Sequence, residues 1–321
     1  MTDSAPSTNA TALVLEPGQW RSAQSAHVQR VREWTEPFRQ RRHRGLKHPV
    51  NDFLFTYYSF SPGKFERWSP GSGVVLLGAA QEFAGQKFWR AVEGPEAAAV
   101  GIHDDDRAVT FDLQAFLAAR GSAVEFVDML VRRTAARPGL FGCFGMHEWA
   151  MAYRSAVNGV RHEQLPLRLG ADGTDAVVEA NNLKCTHIDA FRFFAPEAAP
   201  MNQLQPTRET QRDLEQPGCL HANMDLFKWA YKLYPVVPSE LMADAFELAL
   251  EVRATDMEAS PYDLTEWGYC VVAVETPEGK AEYVRRQKDF ARRAQPIRER
   301  LLDVTGALLC AEPSRDSAIR A

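Results

Sequence analysis

Thr276-Pro-Glu-Gly-Lys-Ala-Glu-Tyr-Val-Arg-Arg-Gln-Lys-Asp-Phe-Ala-Arg-Arg-Ala-Gln-Pro-Ile-Arg-Glu-Arg-Leu301 carries the fold class within one segment. A hydroxyl residue stands at the N-cap, proline follows at the first helical position, and an acid sits in the first turn. Tyr283, Gln287, Phe290, Ala294, Ile297 and Leu301 recur at intervals of three and four, so they share one side of a helix. Arg and Lys occupy the other faces. Such a stripe must be buried against further helices.

The segments before it supply them. Pro238-Ser239-Glu240 opens a helix striped by Leu241, Ala245, Leu248 and Val252 that stops near Ser260-Pro261, and His221 to Leu233 reads as helix too. From Ser22 a helix with Val28, Val31, Thr35 and Phe38 on one face runs into Arg39-Gln-Arg-Arg-His-Arg44 and stops at Gly45. His48-Pro-Val-Asn-Asp-Phe-Leu-Phe-Thr-Tyr-Tyr58 reads as an apolar helix that Pro49 can start. Phe111 to Arg120 and Ser122 to Ala136 read as two helices divided at Gly121, and Met146 to Ser155 as another.

Strand signals are few. They are Gly73 to Gly78, Tyr269 to Val274, and the runs Asp175 to Glu179 and Leu183 to Phe191, which a turn at Asn181-Asn182 would join as a hairpin. Pro196 to Pro217 reads as a long loop, and Asp104-Asp105-Asp106 as an acidic turn. The expectation is a mostly α protein of the α+β class: a single helical domain with a small β-hairpin or minor sheet. Residues 1–20 are expected to be a disordered arm, 21–306 the mainly helical catalytic domain, and 307–321 a flexible tail.

Bulk properties exclude several classes. Lys and Arg number 37 against 42 Asp and Glu, a net charge of −5, so no global pull toward polyanions exists. The five cysteines, Cys143, Cys185, Cys219, Cys270 and Cys310, lie far apart without a CxxC pair, which argues against a disulfide framework or zinc ribbon and for a reducing cytoplasm. No run approaches the ~20 apolar residues of a membrane span, and Met1 to Ala10 has no signal-peptide pattern, so no membrane partner is expected. GxxxxGK[ST], GxGxxG after a strand, GxSxG, HExxH and the zinc-deaminase pattern are all absent.

Three segments between Cys143 and Asp225 place titratable groups beside aromatics. Gly145-Met-His147-Glu148-Trp149 opens a helix at its positive end. In Cys185-Thr-His187-Ile-Asp189-Ala-Phe191-Arg192, a strand would put His187 and Asp189 on one face, a pair suited to ligating a metal or to acid–base work. His221, Asp225 and Trp229 are four apart and would stack along one helix face. Each pair also has a bland reading as a cap, a cross-strand pair or a solvated face. Ser260-Pro-Tyr262-Asp263 is best read as a helix stop.

The strings His48 to Tyr58, Cys143 to Met151, His187 to Phe194, Glu215 to Asp225 and Ser260 to Leu264 resemble those of an actinobacterial family labelled 3-methyladenine DNA glycosylase, over about Arg21 to Leu309. The resemblance implies a hydrolase acting in DNA repair, with DNA as partner and no cofactor. Its chemistry would need a carboxylate to activate water or shelter an oxocarbenium ion, for which Asp225, then Asp189, then Glu148 are candidates. It would also need aromatic and basic groups around a flipped base, for which Trp149, Phe191, Trp229 and Arg192 are candidates. The alternative is a metal-dependent enzyme, oxidase, oxygenase or hydrolase, acting on a small molecule. There His147, His187 and His221, with Glu148, Asp189 and Asp225, would ligate iron, manganese or zinc.

Overall fold

A computed structural model describes residues 12–103 and 106–311. In chain order the elements are β1 (Leu13–Leu15), α1 (Pro17–His43), α2 (Phe53–Tyr57), α3 (Pro62–Phe65), β2 (Val74–Leu76), α4 (Ala80–Phe83), β3 (Trp89–Ala91), α5 (Gly94–Ala99) and β4 (Val109–Phe111). There follow α6 (Leu113–Ala135), α7 (Met146–Met151), α8 (Ser155–Asn158), α9 (Gly170–Glu179), α10 (Ile188–Phe191), α11 (Gln211–Leu214), α12 (Leu220–Lys232), α13 (Ser239–Glu258) and α14 (Pro277–Cys310). This is a mostly α single domain with one small sheet, as expected.

Helix α14 begins as its sequence dictates: the Thr276 hydroxyl accepts from the Gly279 amide and Pro277 holds the first position. Its buried side comprises the six residues of the opening stripe together with Gly279, continued by Thr305 and Leu308; contrary to expectation Arg298 is buried with them, donating to Asn223 of α12. The helix therefore runs four residues past the expected domain end, because its apolar period does not stop at Gly306. Residues 312–321 of the expected tail lie outside the described residues.

Helix α12 forms the axis of the molecule. Every residue from Leu220 to Ala230 is buried, which a helix achieves only when neighbours cover it all round. α13 and α14 both pack on it, and α14 also packs on α6. The expected break at Gly121 does not occur. Gly121 is buried inside the continuous α6, whose N-cap Asp112 accepts from the Ala115 amide, and Thr305 of α14 donates to Asp128 of α6 at 2.8 Å. A glycine costs a helix about 1 kcal/mol relative to alanine, which packing of this extent outweighs.

The sheet has the order β1-β2-β4-β3, with β1 parallel to β2 and the other pairs antiparallel. The short run at Gly73 to Gly78 is thus its second strand. Part of the expected N-terminal arm is ordered: β1 pairs with β2, Pro17 starts α1 through a capping box of Glu16 and Gln19, and the Trp20 indole donates to the Leu77 carbonyl at 2.9 Å. Residues 1–11 of that arm, with Asp104 and Asp105 of the acidic turn, lie outside the described residues.

The expected hairpin is absent. Asp175 to Glu179 belongs to α9, whose buried positions Thr174 and Val178 are four apart, and Asn181 caps it by donating to the Val177 carbonyl. Leu183 to His187 is extended, but α10 follows at once. Tyr269 to Val274 forms no strand either. His48 to Asp52 is a turn rather than helix: the Asp52 carboxylate accepts from the His48 amide and delays α2 to Phe53. α7 ends at Met151, four residues early, and α8 starts afresh at Ser155. The loop from Pro196 to Pro217 contains a 3₁₀ turn and α11. Among the described residues no helix is long and apolar enough to cross a membrane.

Candidate metal centre

His147 reaches the centre because of what precedes it. Phe144 and Gly145 both adopt positive φ, and a Cβ on Gly145 would lie 3.1 Å from the Tyr283 ring, so only glycine lets α7 start this close to α14. The His147 Nε2 lies 2.7 Å from Oδ1 of Asp256 on α13. His221, in the first turn of α12, sets its ring 4.5 Å from that of His147 and 5.3 Å from that of His187. One ligand atom from each of His147, His221 and Asp256 lies within 4.8 Å of the others, and all three residues are buried.

A buried guanidinium organises this group. Arg253, three residues before Asp256, donates through Nη1 to Asp256 Oδ2 and to Glu148 Oε1, both at 2.8 Å. Its own Nη2 is 3.3 Å from His162. One cation thus faces two carboxylates beside two imidazoles. Burial opposes the imidazolium of His147, but Asp256 outweighs it and raises the His147 pKa. Burial, then His147 and His187, push His221 down to about 3, which leaves a neutral imidazole with a free lone pair.

A second network adjoins the first. His187 Nε2 is 3.3 Å from Asp225 Oδ2 and 3.8 Å from Glu215 Oε2. Asp225 accepts from the Tyr58 hydroxyl at 2.6 Å and from Lys228 at 2.6 Å; Lys228 also donates to Asp189 at 2.9 Å, and Arg208 donates to Asp189 at 2.5 Å. Burial works against the charge on Asp225, yet Lys228 and His187 hold its carboxyl well below the usual range. Burial likewise opposes Asp189, and Lys228 with Arg208 brings it down to about 2. Glu215 is the exception: burial raises its pKa.

The three expected histidines therefore converge, but not with their sequence neighbours. Glu148 turns to Arg253. His187 and Asp189 do not project side by side from a strand; His187 precedes α10 and meets Asp225, and Asp189 meets Lys228. The expected pocket walls also need correction. Trp149 is wholly buried with its indole donating to the Ala259 carbonyl, and Trp229 packs edge-on against Phe126. Phe191 packs on Phe194, and Arg192 is exposed at 3.3 Å from Asp189. None of these four lines either cavity that touches His221.

The larger of those cavities has a volume of about 540 Å³ and reaches His147 and His221 from a rim at Leu140, Lys184 and Gln203. Its wall is largely apolar, with Met146, Leu183, Phe194 and Leu220. The thiols of Cys143, Cys185 and Cys219 also face it; burial raises all three pKa values, Cys185 to about 12, so they are protonated and poor nucleophiles. Tyr283 lines the same space with its buried hydroxyl beside the Cys143 thiol. On the other side of His221 a cavity of about 50 Å³ is bounded by Tyr57, Glu148, Asp189 and Arg253.

Sequence reasoning missed Asp256, Arg253, Tyr58 and Lys228. Arg253 and Asp256 had a usable signal, since Asp256 falls one turn beyond Val252 on its apolar stripe and Arg253 one turn beyond Ala249 on the neighbouring apolar row. Together these features define a mostly α domain with a buried His/His/Asp centre. No protein-family model matches the chain, and no curated protein or solved structure matches it.

Proposed function

We propose that the protein is a metal-dependent enzyme acting on a small, largely apolar molecule, with His147, His221 and Asp256 as the metal ligands. The carrying observation is the convergence of two imidazoles and one carboxylate, from α7, α12 and α13, at the inner end of a cavity. Two His and one carboxylate with open positions suit iron(II), manganese or zinc. The ion would supply Lewis acidity and a bound water of lowered pKa. Arg253 would fix the Asp256 carboxylate, leaving its Oδ1 toward the ion, and His187 would hold the His221 ring by stacking. The apolar wall would admit substrate and limit water.

The family resemblance suggests excision of an alkylated purine instead. That chemistry asks for a carboxylate able to act on water, whereas Asp225 and Asp189 are each bound to Lys228. The metal reading has the better support.

Elemental analysis of the purified full chain, with circular dichroism as a folding control, decides between them. About one metal ion per chain is expected, lost in His221→Ala and Asp256→Asn and kept in Asp225→Asn. Metal-free protein that releases 3-methyladenine from alkylated DNA, and loses that activity as Asp225→Asn, would overturn the proposal.

A further inference from the structure

A larger cavity of about 860 Å³ opens elsewhere, between α3, α4, α6 and the C-terminal end of α12. Its lining brings together Lys64, Arg67, Lys87, Arg120 and Lys232. Two carboxylates line it as well, and both are engaged: Glu66 by Thr35 and Arg39, and Glu82 by Gln24. Among the described residues none of the five cations has a carboxylate within ion-pair distance.

That sets the cleft apart from the basic faces of α6 and α14. The basic segments of α6 and α14 are neutralised: Arg132 by Asp128, Arg133 by Asp213, Arg285 and Arg286 by Glu282, and Arg293 by Glu251. A chain of net charge −5 thus keeps five cations without ion pairs, against the one carboxylate charge of Glu82, in one concavity. The α12 C-terminal dipole accounts for at most part of one of the five charges.

The cleft also offers ring faces. Phe88, Tyr231 and Tyr234 line it and are each only partly buried. Ser59 and Phe88, both in its wall, are two of the five non-glycine residues with positive φ among the described residues, at 54° and 69°. Backbone held in that region concentrates where a ligand is bound.

We infer that this cleft binds a phosphorylated ligand with a planar ring, of the nucleotide class: the cations take the phosphates and an aromatic face takes the base. The volume falls within the ordinary range for small-molecule sites, about 300–1,000 Å³. The inference does not depend on the metal reading, since none of the proposed ligands lines this cleft.

Isothermal titration of the full chain with ADP, adenosine, inorganic pyrophosphate and a ten-nucleotide oligothymidine tests it. ADP is expected to bind at least about tenfold more tightly than adenosine or pyrophosphate, because each lacks one half of the recognition. Lys64→Gln/Arg67→Gln and Lys232→Gln should each weaken ADP about tenfold or more, while Arg292→Gln, on an exposed face of α14, should not change it. The changed side chains are exposed, so folding is retained. No ADP binding, pyrophosphate as tight as ADP, oligothymidine tighter than ADP, or affinity indifferent to the cleft variants would each overturn the inference.

Discussion

Arg253 and Asp256 form a buried ion pair at 2.8 Å on one turn of α13, and the same guanidinium nitrogen reaches Glu148 on α7 at 2.8 Å. Both side chains of the pair are 1% exposed. Removing the cation would strand two carboxylates in the core. Arg253→Met, which keeps much of the volume, is expected to destabilise by about 3–5 kcal/mol, and Arg253→Lys by less, since it restores the charge but not the planar fork. Urea unfolding measures both; a loss for Arg253→Met no larger than for a surface substitution would show that the Arg253–Glu148 contact does not hold α7 to α13.

Asp189 makes a pH-dependent contribution whose sign follows from its lowered pKa. The carboxyl titrates near 3.8 unfolded and at about 2 folded, so the folded state favours its charged form. Its stabilisation is therefore complete above the unfolded value and is lost as pH falls through 4 toward 2. The shift corresponds to about 2 kcal/mol at most, reduced by solvent screening of the partly accessible carboxylate. Unfolding measured from pH 6 to pH 2 should show Asp189→Asn losing less stability across that window than the parent does. Equal slopes would contradict the assignment.

Gly218 tests the loop that bounds the large cavity. A Cβ there would lie 2.6 Å from the Leu140 carbonyl oxygen and 2.9 Å from its amide nitrogen, both backbone atoms, while Gln216 Oε1 already ties the Leu140 and Gly218 amides together. Gly218→Ala is expected to cost about 1–3 kcal/mol. Gly142, on the same cavity wall, would meet nothing within 4 Å. Gly142→Ala should thus stay within about 0.5 kcal/mol of the parent, and thermal melts of the two variants give the comparison.

The long helices were legible because burial imposes a period that the residues cannot hide, as from Tyr283 to Leu301. Local propensity misled where tertiary contacts outvote it. Val177-Val178 is β-branched yet helical, since Thr174 and Val178 are buried one turn apart. At the site, the three histidines were found because the chain offers few, but their partners came from elsewhere in the sequence. Trp229 shows the limit of the four-residue rule. At 100° per residue, eight residues carry it about 80° round from His221, so Asp225 stays beside His187 while the indole turns toward Phe126. Lys228, three residues beyond Asp225, occupies the side assigned to the tryptophan. Tyr58, 167 residues from its partner Asp225, and Asp256, 109 residues from its partner His147, could be brought to them only by the fold.

Metal removal should change stability as well as composition. An ion bound only by the folded chain stabilises it by RT ln(1 + [L]/Kd), about 2.7 kcal/mol at one hundred times Kd. A chelator should therefore lower the melting temperature of the parent, and added iron(II), manganese or zinc should restore it. Asp256→Asn removes one of the three ligands, so its melting temperature should be lower at the outset and indifferent to chelator. Asp225→Asn should still respond, because Asp225 belongs to the network of Tyr58 and Lys228 rather than to the trio. A parent protein whose melt is unmoved by chelator and by all three ions would leave His147, His221 and Asp256 as a hydrogen-bonded cluster only. The Arg253 bridge would then be the whole reason for burying Asp256.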